Sequence, residues 1–255
     1  MQFDVITLFP EMFSALTSFG VTGRAFEKKV CEINLWNPRD FVNNKHRSVD
    51  DRPYGGGPGM VMLSEPIEMA IKAAKDRHKK LGLLKTMSIF LSPHGLKLEQ
   101  NKIKSLLSEK GLVLLCGRYE GVDQRLLDLY IDQEISVGDF VVSGGELPAM
   151  TLMDALIRQI PGSLNDAKSK DEESFENGLL DFPQYTRPLV YKGLDVPEEL
   201  LSGNHRKIKI WRRKRSLEYT QKKRPEMIRY ARLKGLLSEN DELFLKKLYL
   251  TKKNN

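Results

Sequence analysis

The hydrophobic positions in the first two thirds of the chain follow two alternating spacings. Continuous apolar runs predict buried strands at residues 3–9, 30–35, 87–91, 112–116 and 140–142. Apolar residues recurring every three or four positions predict helices at residues 65–80, 98–108, 122–131 and 147–160, and another helix beginning at Pro10. This alternation favours an α/β fold, in which helices flank a parallel sheet.

The last third of the chain has a different pattern, which predicts a second domain. Residues 162–184 begin with a stretch rich in acidic residues, Ser and Asn, as is typical of a flexible linker. After residue 196 only helical spacings occur. We therefore predict an α/β domain at residues 1–161, a flexible interdomain linker at 162–184 and a small all-helical domain at 185–255.

The positive charge is concentrated in one segment of this second domain. The formal net charge is +7; residues 205–234 hold thirteen Lys or Arg and two Glu, a local net of +11 that leaves −4 for the rest. Such a patch is typical of a protein that binds a polyanion. Trp211, Tyr219 and Tyr230 lie among the charges, where their rings could stack on nucleic-acid bases. The alternative is a solvated helix face that is rich in Lys and Arg.

The composition is that of an ordinary globular protein. Of 255 residues, 40% are hydrophobic and 29% are charged, and no apolar run approaches the roughly 20 residues that span a bilayer. No basic segment precedes an apolar core at the N-terminus, so we predict no secretory signal. Cys31 and Cys116 lie in or beside apolar runs and are expected to be buried free thiols in a cytoplasmic protein, with a disulfide left open as the alternative.

Three predicted strands lead into loops that suit a small-molecule pocket. The loops are Ser92-Pro93-His94-Gly95, Gly117-Arg118-Tyr119-Glu120-Gly121, and the two segments on either side of residues 140–142, Ser136-Val137-Gly138-Asp139 and Ser143-Gly144-Gly145. Ligands of open α/β sheets gather at the carboxyl ends of strands. Glycine also lets main chain approach a flat heterocycle closely. We predict one shared pocket lined by backbone; ordinary turns are the alternative.

Other kinds of site fit the sequence poorly. No Walker loop is present, and the run Gly55-Gly56-Gly57-Pro58-Gly59 follows polar residues instead of a strand, so it predicts a flexible surface loop or a mobile flap over a substrate. The four histidines show no metal-ligand spacing. His46 and His205 each precede an arginine, which suits contact with phosphate. His78 is predicted to be a solvated helix residue.

Six long motifs give the chain a family resemblance. They begin at residues 6, 20, 49, 115, 143 and 185 and read ITLFPEMF, GVTGRA, VDDRPYGGGPGM, LCGRYEG, SGGELPAM and YTRP. With these motifs in this order, the chain closely resembles the bacterial tRNA (guanine-N1)-methyltransferase family, TrmD, of the SPOUT superfamily. The resemblance implies methyl transfer from S-adenosyl-L-methionine to N1 of the guanine immediately 3′ of the anticodon, position 37 of the tRNA.

The resemblance also implies a particular fold and assembly. A deep trefoil knot would hold S-adenosylmethionine in a homodimer with shared active sites, and the apolar stripe in residues 147–160 would suit the subunit interface. The basic segment would hold the anticodon arm of the tRNA. Carried over by motif, the residues that would bind the cofactor are Phe90, Leu91, Ser92, Pro93, Gly117, Tyr119, Glu120, Gly121, Ser136, Val137, Gly138, Asp139, Phe140, Val141, Val142, Gly144, Gly145 and Pro148.

Two catalytic residues are implied in the same way. Guanine N1 must lose its proton while negative charge builds on O6, which calls for a carboxylate base and a guanidinium. By the resemblance, the guanidinium is that of Arg158 and the base is Glu173, where the family usually has Asp. Asp171 is the alternative base. Phe90 and His94 also depart from the family's common Tyr and Gln, at points where the pocket uses main chain. The family makes a Mg²⁺ requirement possible, but no ligand cluster indicates a site.

Two other functions stay open. One is a related knotted RNA methyltransferase that acts on another base or on a ribose 2′-OH. The other is a non-catalytic RNA-binding protein that retains the fold. The glycine-containing loops and Arg158 favour the enzyme.

Overall fold

The chain forms two compact units. The computed structural model describes residues 1–164 and 173–253. The units comprise Met1–Asn165 and Asp166–Asn255. Their boundary falls inside the segment predicted to be a linker.

The first unit is built on a sheet of five parallel strands. The strands of this unit are β1 (Gln2–Ile6), β2 (Glu32–Trp36), β3 (Asp50–Asp51), β4 (Val61–Met62), β5 (Met87–Lys97), β6 (Gly111–Cys116) and β7 (Gln133–Ser136). The sheet has the order β2-β1-β6-β5-β7, and β3 pairs with β4 in a separate antiparallel hairpin. Because the five strands run in one direction, their carboxyl ends lie at one edge. The predicted α/β class with a parallel sheet is confirmed.

Helices cover both faces of this sheet. They are α1 (Ser14–Thr17), α2 (Gly20–Glu27), α3 (Ser64–Lys80), α4 (Gln100–Leu106), α5 (Gln124–Tyr130) and α6 (Glu146–Ile157), with short 3-10 turns at Pro10–Phe13 and Pro38–Phe41. One core cluster packs α4 and α6 on one face of the sheet, and another packs α3 and α5 on the opposite face. Leu112, Leu114 and Cys116 of β6 face the first cluster, whereas Val113 and Leu115 face the second.

The apolar stripe of α6 serves the core of its own chain. Met153, Leu156 and Ile157 are completely buried against the sheet. Most of the stripe therefore packs within its own chain, whereas Met150 and Ile160 are only partly buried, and a subunit interface at this helix stays a prediction.

The predicted strand at residues 140–142 is also wrong. These residues are irregular and largely exposed, and the last strand of the sheet is β7. In β7 a single apolar residue, Ile135, is completely buried. This strand lies at the edge of the sheet and pairs only with β5, so one apolar anchor is enough to hold it.

The predicted loop after residue 91 is a bulge within β5. Leu91 and Leu96 both pair with Ile135, and the four residues between them leave the regular ladder. Gly95 is needed there, since a Cβ would run into the backbone of Glu134 and Ile135. The bulge turns Ser92 and Pro93 out of the strand at the carboxyl edge.

His78 is buried, contrary to its predicted place in solvent. Its Nε2 lies 2.6 Å from Oδ2 of Asp4 in β1, an interior strand of the sheet. Arg77 Nη1 donates to the same carboxylate at 2.8 Å, and Trp36 Nε1 donates to Asp4 Oδ1 at 2.6 Å. A buried carboxylate is stable only when its oxygens are paired in this way.

The second unit contains helices and one short hairpin. Its elements are β8 (Val190–Tyr191), β9 (Leu194–Asp195), α7 (Glu198–Leu201), α8 (His205–Lys223), α9 (Pro225–Leu233) and α10 (Glu239–Lys253). The hairpin departs from the predicted all-helical domain; Lys192 and Gly193, both at positive φ, form its two-residue turn. A small core of Leu179, Leu217, Ile228 and Leu245 holds the unit together. Among the helices of the described chain, none combines the length and the apolar character that crossing a bilayer requires.

Candidate active site

A cavity opens at the carboxyl edge of the sheet, beside the bulge of β5 and the ends of β6 and β7. Its volume is about 260 Å³. The residues that line it are Phe90, Leu91, Ser92, Pro93, Gly117, Arg118, Tyr119, Glu120, Gly121, Ile135, Ser136, Val137, Gly138, Phe140, Val141, Val142, Ser143, Gly144, Gly145 and Pro148. The structure thus brings the three predicted loops together around one cavity.

The cavity includes all but one of the residues that the resemblance assigned to the cofactor. The exception is Asp139, whose side chain is exposed and pairs with Lys97 at 2.7 Å. Three lining residues were not assigned from the sequence: Arg118, Ile135 and Ser143. Arg118 and Ser143 lie inside the glycine motifs, so their positions in those motifs were the available signal.

Glycines allow the loops of this cavity to touch. A Cβ on Gly145 would lie 2.6 Å from Cys116 Cα, and one on Gly117 would lie 2.9 Å from the Phe90 ring. Gly145 N donates to Gly117 O at 2.9 Å, which joins the loop after β6 to the loop after β7. Tyr119 has a φ of +58°, a strained value for an aromatic residue and one that is often found at functional sites.

A largely buried ion pair joins the cavity lining to the first residue of α6. Arg118 Nε donates to Glu146 Oε2 at 2.9 Å, and Thr7 Oγ1 donates to Glu146 Oε1 at 2.8 Å. Burial and the nearby Glu146 carboxylate raise the pKa of the Cys116 thiol well above its ordinary value. Cys116 is a buried, unpaired thiol, as predicted, and a neutral thiol of this kind is not a nucleophile. Cys31 is likewise buried and unpaired.

The glycine run at residues 55–59 is connected to the cavity through its hairpin. Glu120 N donates to Met60 O at 2.9 Å, and Met62 N donates to Gly121 O at 3.0 Å. A Cβ on Gly59, which has a φ of +82°, would overlap the Glu120 side chain. The run therefore lies beside the cavity loop that follows β6. A flap over a bound substrate would need this position, and the movement of the run stays a prediction.

Arg158 lies at the end of α6 away from the cavity. Pro148 in the first turn of that helix lines the cavity, whereas Arg158 caps the other end, about 15 Å further along the axis. Its backbone N–H donates to Asp154 O at 3.1 Å and it is half-buried. It is not among the residues that line the cavity.

Glu173 belongs to the second unit and begins a short turn. It is half-buried and lines a separate cavity of about 440 Å³ together with Lys209, Arg212 and Arg213 of α8. Asp171, the fallback base, lies outside the described residues. Within the described residues, no three His, Cys, Asp or Glu side chains are grouped as a metal site would need. The Mg²⁺ requirement stays a prediction.

Comparison with known proteins decides the family. The family described as tRNA (Guanine-1)-methyltransferase TrmD matches residues 1–230. The chain belongs to the TrmD family.

Several TrmD-family relatives match almost the whole chain, and each is named tRNA (guanine-N(1)-)-methyltransferase. The protein of Janthinobacterium sp. (strain Marseille) is 60% identical over 245 residues, which are 96% of this chain and 98% of the relative. The protein of Herminiimonas arsenicoxydans is 60% identical over 248 residues, which are 97% of this chain and 100% of the relative. The protein of Burkholderia ambifaria (strain MC40-6) is 53% identical over 254 residues, which are 100% of this chain and 96% of the relative.

In this TrmD-family protein the basic segment forms α8, α9 and the turn that follows. Asn204 caps α8 by accepting hydrogen bonds from Arg206 N and Lys207 N, both at 3.1 Å. Trp211 is buried beneath Arg215, so its predicted stacking on bases is wrong. The Tyr185 ring also packs against it edge-on, with 6.1 Å between the ring centroids. Tyr230 is exposed and Tyr219 is half-buried.

Proposed function

We propose that this protein transfers the methyl group of S-adenosylmethionine to N1 of a tRNA guanine, the one immediately 3′ of the anticodon, in the cytoplasm. Family membership over residues 1–230 and the names of its relatives support the reaction. The observation that carries the proposal is the cavity at the carboxyl edge of the sheet, lined by the main chain of three glycine-containing loops.

The chemistry of the cavity wall suits the proposed donor. Apolar groups such as the flat Phe90 ring and the branched Val141 side chain line the cavity together with glycines, where main-chain N–H and C=O groups can meet an adenine ring. S-adenosylmethionine supplies an activated methyl group on a sulfonium. The residues assigned from the resemblance would hold it within a trefoil knot.

The protein itself aligns the two substrates, removes a proton and stabilises the negative charge that develops. Holding donor and acceptor in line removes much of the barrier, up to about 7–11 kcal/mol in well-oriented systems. Glu173 takes the proton from guanine N1. The Arg158 guanidinium stabilises the negative charge that develops on O6 as this proton leaves.

The proposal includes a homodimer in which two copies share each active site. Arg158 lies at the end of α6 that is away from the cavity, about 15 Å along the helix from Pro148. A second copy can bring its catalytic side chains, Glu173 among them, to the donor. Because most of the stripe of α6 is buried, exposed apolar residues outside the stripe must supply much of the surface for this contact. Phe140, Val141 and Leu147 beside the cavity are exposed and suit that role.

The charge of α8 supports tRNA as the substrate. Arg206 and Lys207 are exposed in the first turn of this helix, where the helix dipole disfavours cations. Their charge therefore contributes nothing favourable to the helix itself. Contact with the phosphates of an anticodon arm accounts for it.

Replacing Arg206 and Lys207 together by Ala should weaken tRNA binding and lower its salt dependence. Removing one cation that neutralises a phosphate should reduce the slope of log affinity against log salt by about 0.7–0.9. The Asn204 cap uses backbone N–H groups and so survives the change. Filter binding at several salt concentrations measures the slope.

A matched pair on the first unit provides the control. Lys79 and Lys80 are also adjacent, exposed and helical. Their replacement by Ala should leave tRNA affinity and slope unchanged. Equal losses in the two double variants would argue against a specific role for α8.

Incubation with labelled S-adenosylmethionine and unmodified tRNA bearing guanine 3′ of the anticodon tests the function. Nucleoside analysis of the product should yield 1-methylguanosine, and a tRNA with adenine at that position should not react. A methylated ribose would instead favour the related knotted methyltransferase. Binding of tRNA without binding of the donor would favour the non-catalytic protein.

A further inference from the structure

One buried polar network connects four segments of the first unit behind the cavity. Glu146, the first residue of α6, has a side chain that is only 1% exposed. One carboxylate oxygen accepts from Thr7 Oγ1 and the other from Arg118 Nε, at 2.8 and 2.9 Å. Thr7 Oγ1 also accepts from Phe9 N at 2.9 Å, so the network begins at the end of β1.

The remaining contacts of Arg118 fix the loop after β7. Its Nη1 donates to Ser143 O at 3.1 Å, and its Nη2 lies 3.6 Å from Met12 Sδ. The guanidinium also lies over the Phe9 ring, 4.4 Å from the centroid. A Cβ on Gly144 would overlap this side chain, so the glycine leaves room for it. Arg118 is therefore held on several sides and in turn holds Ser143.

This network bears directly on the shape of the cavity. Arg118, Ser143 and Gly144 all line the cavity, and the glutamate that holds Arg118 lies just after them. Loops that are rich in glycine have few side chains whose contacts could fix their conformation. The charge-assisted hydrogen bonds of a buried pair are strong enough to do so.

We propose that Thr7, Glu146 and Arg118 are positioning residues that set the two loops for binding the methyl donor. The inference rests on the proposed function, since it concerns the same cavity. Neither Thr7 nor Glu146 lines the cavity, so these two residues act through the loops, whereas Arg118 also forms part of the lining. Loss of the network should therefore weaken donor binding and leave the affinity for tRNA unchanged.

Two conservative variants test the inference in the full-length protein. Glu146→Gln keeps the shape but removes the charge that Arg118 pairs with, and Arg118→Lys keeps the charge but removes the forked donors. Each should raise the Kd for S-adenosylmethionine, measured by calorimetry, about tenfold or more, the effect of one charged hydrogen bond. The double variant should bind only slightly less tightly than either single variant, because the two residues act through one contact.

Arg125→Ala is the matched control. Arg125 is a nearby arginine that pairs with Asp123 at 2.7 Å on the surface, with its side chain 77% exposed. The donor Kd of this variant should equal that of the wild type. The melting temperature of each variant shows whether the protein is folded at the temperature of the binding assay.

The outcomes separate this inference from the function it rests on. Wild-type protein that does not bind the donor would overturn the proposed function and the inference with it. Wild-type binding together with an unchanged donor Kd in the folded variants would overturn the inference alone, even if their melting temperatures fall. Equal weakening of donor and tRNA binding would also overturn it, because the network would then serve only the fold. Thr7→Val, which removes just the hydroxyl group, should raise the donor Kd about threefold and supplies a third variant if the other two fold poorly.

Discussion

Arg158→Ala should lose about 10²–10³-fold in methyl transfer while S-adenosylmethionine binds as it does to the wild type. A guanidinium that donates hydrogen bonds to a developing negative charge contributes a rate effect of this size. Arg158 does not line the cavity at the carboxyl edge, so donor binding should not depend on it. Single-turnover transfer to tRNA and calorimetric titration with the donor measure the two quantities separately.

The melting temperature of Arg158→Ala shows whether the variant remains folded. Arg158 caps the end of α6, where a cation is worth about 0.3–1 kcal/mol and alanine is well accepted. Arg158→Lys should recover part of the rate, since it keeps the charge and loses the planar fork. Loss of donor binding in Arg158→Ala would contradict the division between a donor cavity and a separate arginine. Turnover near the wild-type rate would remove Arg158 from the mechanism.

The sheet could be predicted best where it is most deeply buried. The strand predicted at residues 112–116 forms all but the first residue of β6, which is buried throughout its length. A central strand of a parallel sheet is covered on both faces and so needs apolar residues at every position. The edge strand β7 gives no such signal, because its sequence is Gln-Glu-Ile-Ser and only Ile135 is apolar. The apolar residues 140–142 resemble a strand more closely, yet they lie exposed beside the cavity.

The cavity could be predicted loop by loop, but its supporting contacts could not. Glycine motifs are local in sequence, and the parallel order of the strands then brings their loops to one edge. Arg118 lies in the loop after β6 and Glu146 begins α6, and only the folded chain shows that they meet. A signal for the burial of His78 was nevertheless present in the sequence. Ile67, Ile71, Ala74 and His78 recur at helical spacing and form the buried face of α3.

Glu173 is the proposed general base. It starts a turn that is closed by hydrogen bonds from Phe175 N to Leu179 O at 2.8 Å and from Ser174 Oγ to Asp181 Oδ1 at 2.9 Å. These bonds fix the backbone that follows Glu173. A base must also be held within reach of the proton that it takes, and the reach of the Glu173 carboxylate stays a prediction.

Glu173→Gln should reduce the rate of methyl transfer about 10²–10⁴-fold, the usual contribution of a general base. Glu173→Asp, which restores the residue usual in the family, should keep most of the activity. Because guanine N1 also loses its proton to solvent as the pH rises, the Gln variant should regain rate at high pH. Arg158→Ala should not, since its defect is in stabilising the charge on O6. Single-turnover rates across pH measure both effects.

Two neighbouring residues make the assignment to Glu173 specific. Glu176→Gln changes the same group within the same turn and should leave the rate unchanged. Asp171→Asn should also be active if Glu173 is the base. If Asp171→Asn is inactive and Glu173→Gln is active, Asp171 is the general base. If both single variants are active, neither Glu173 nor Asp171 is the essential base, and the assignment to Glu173 is wrong.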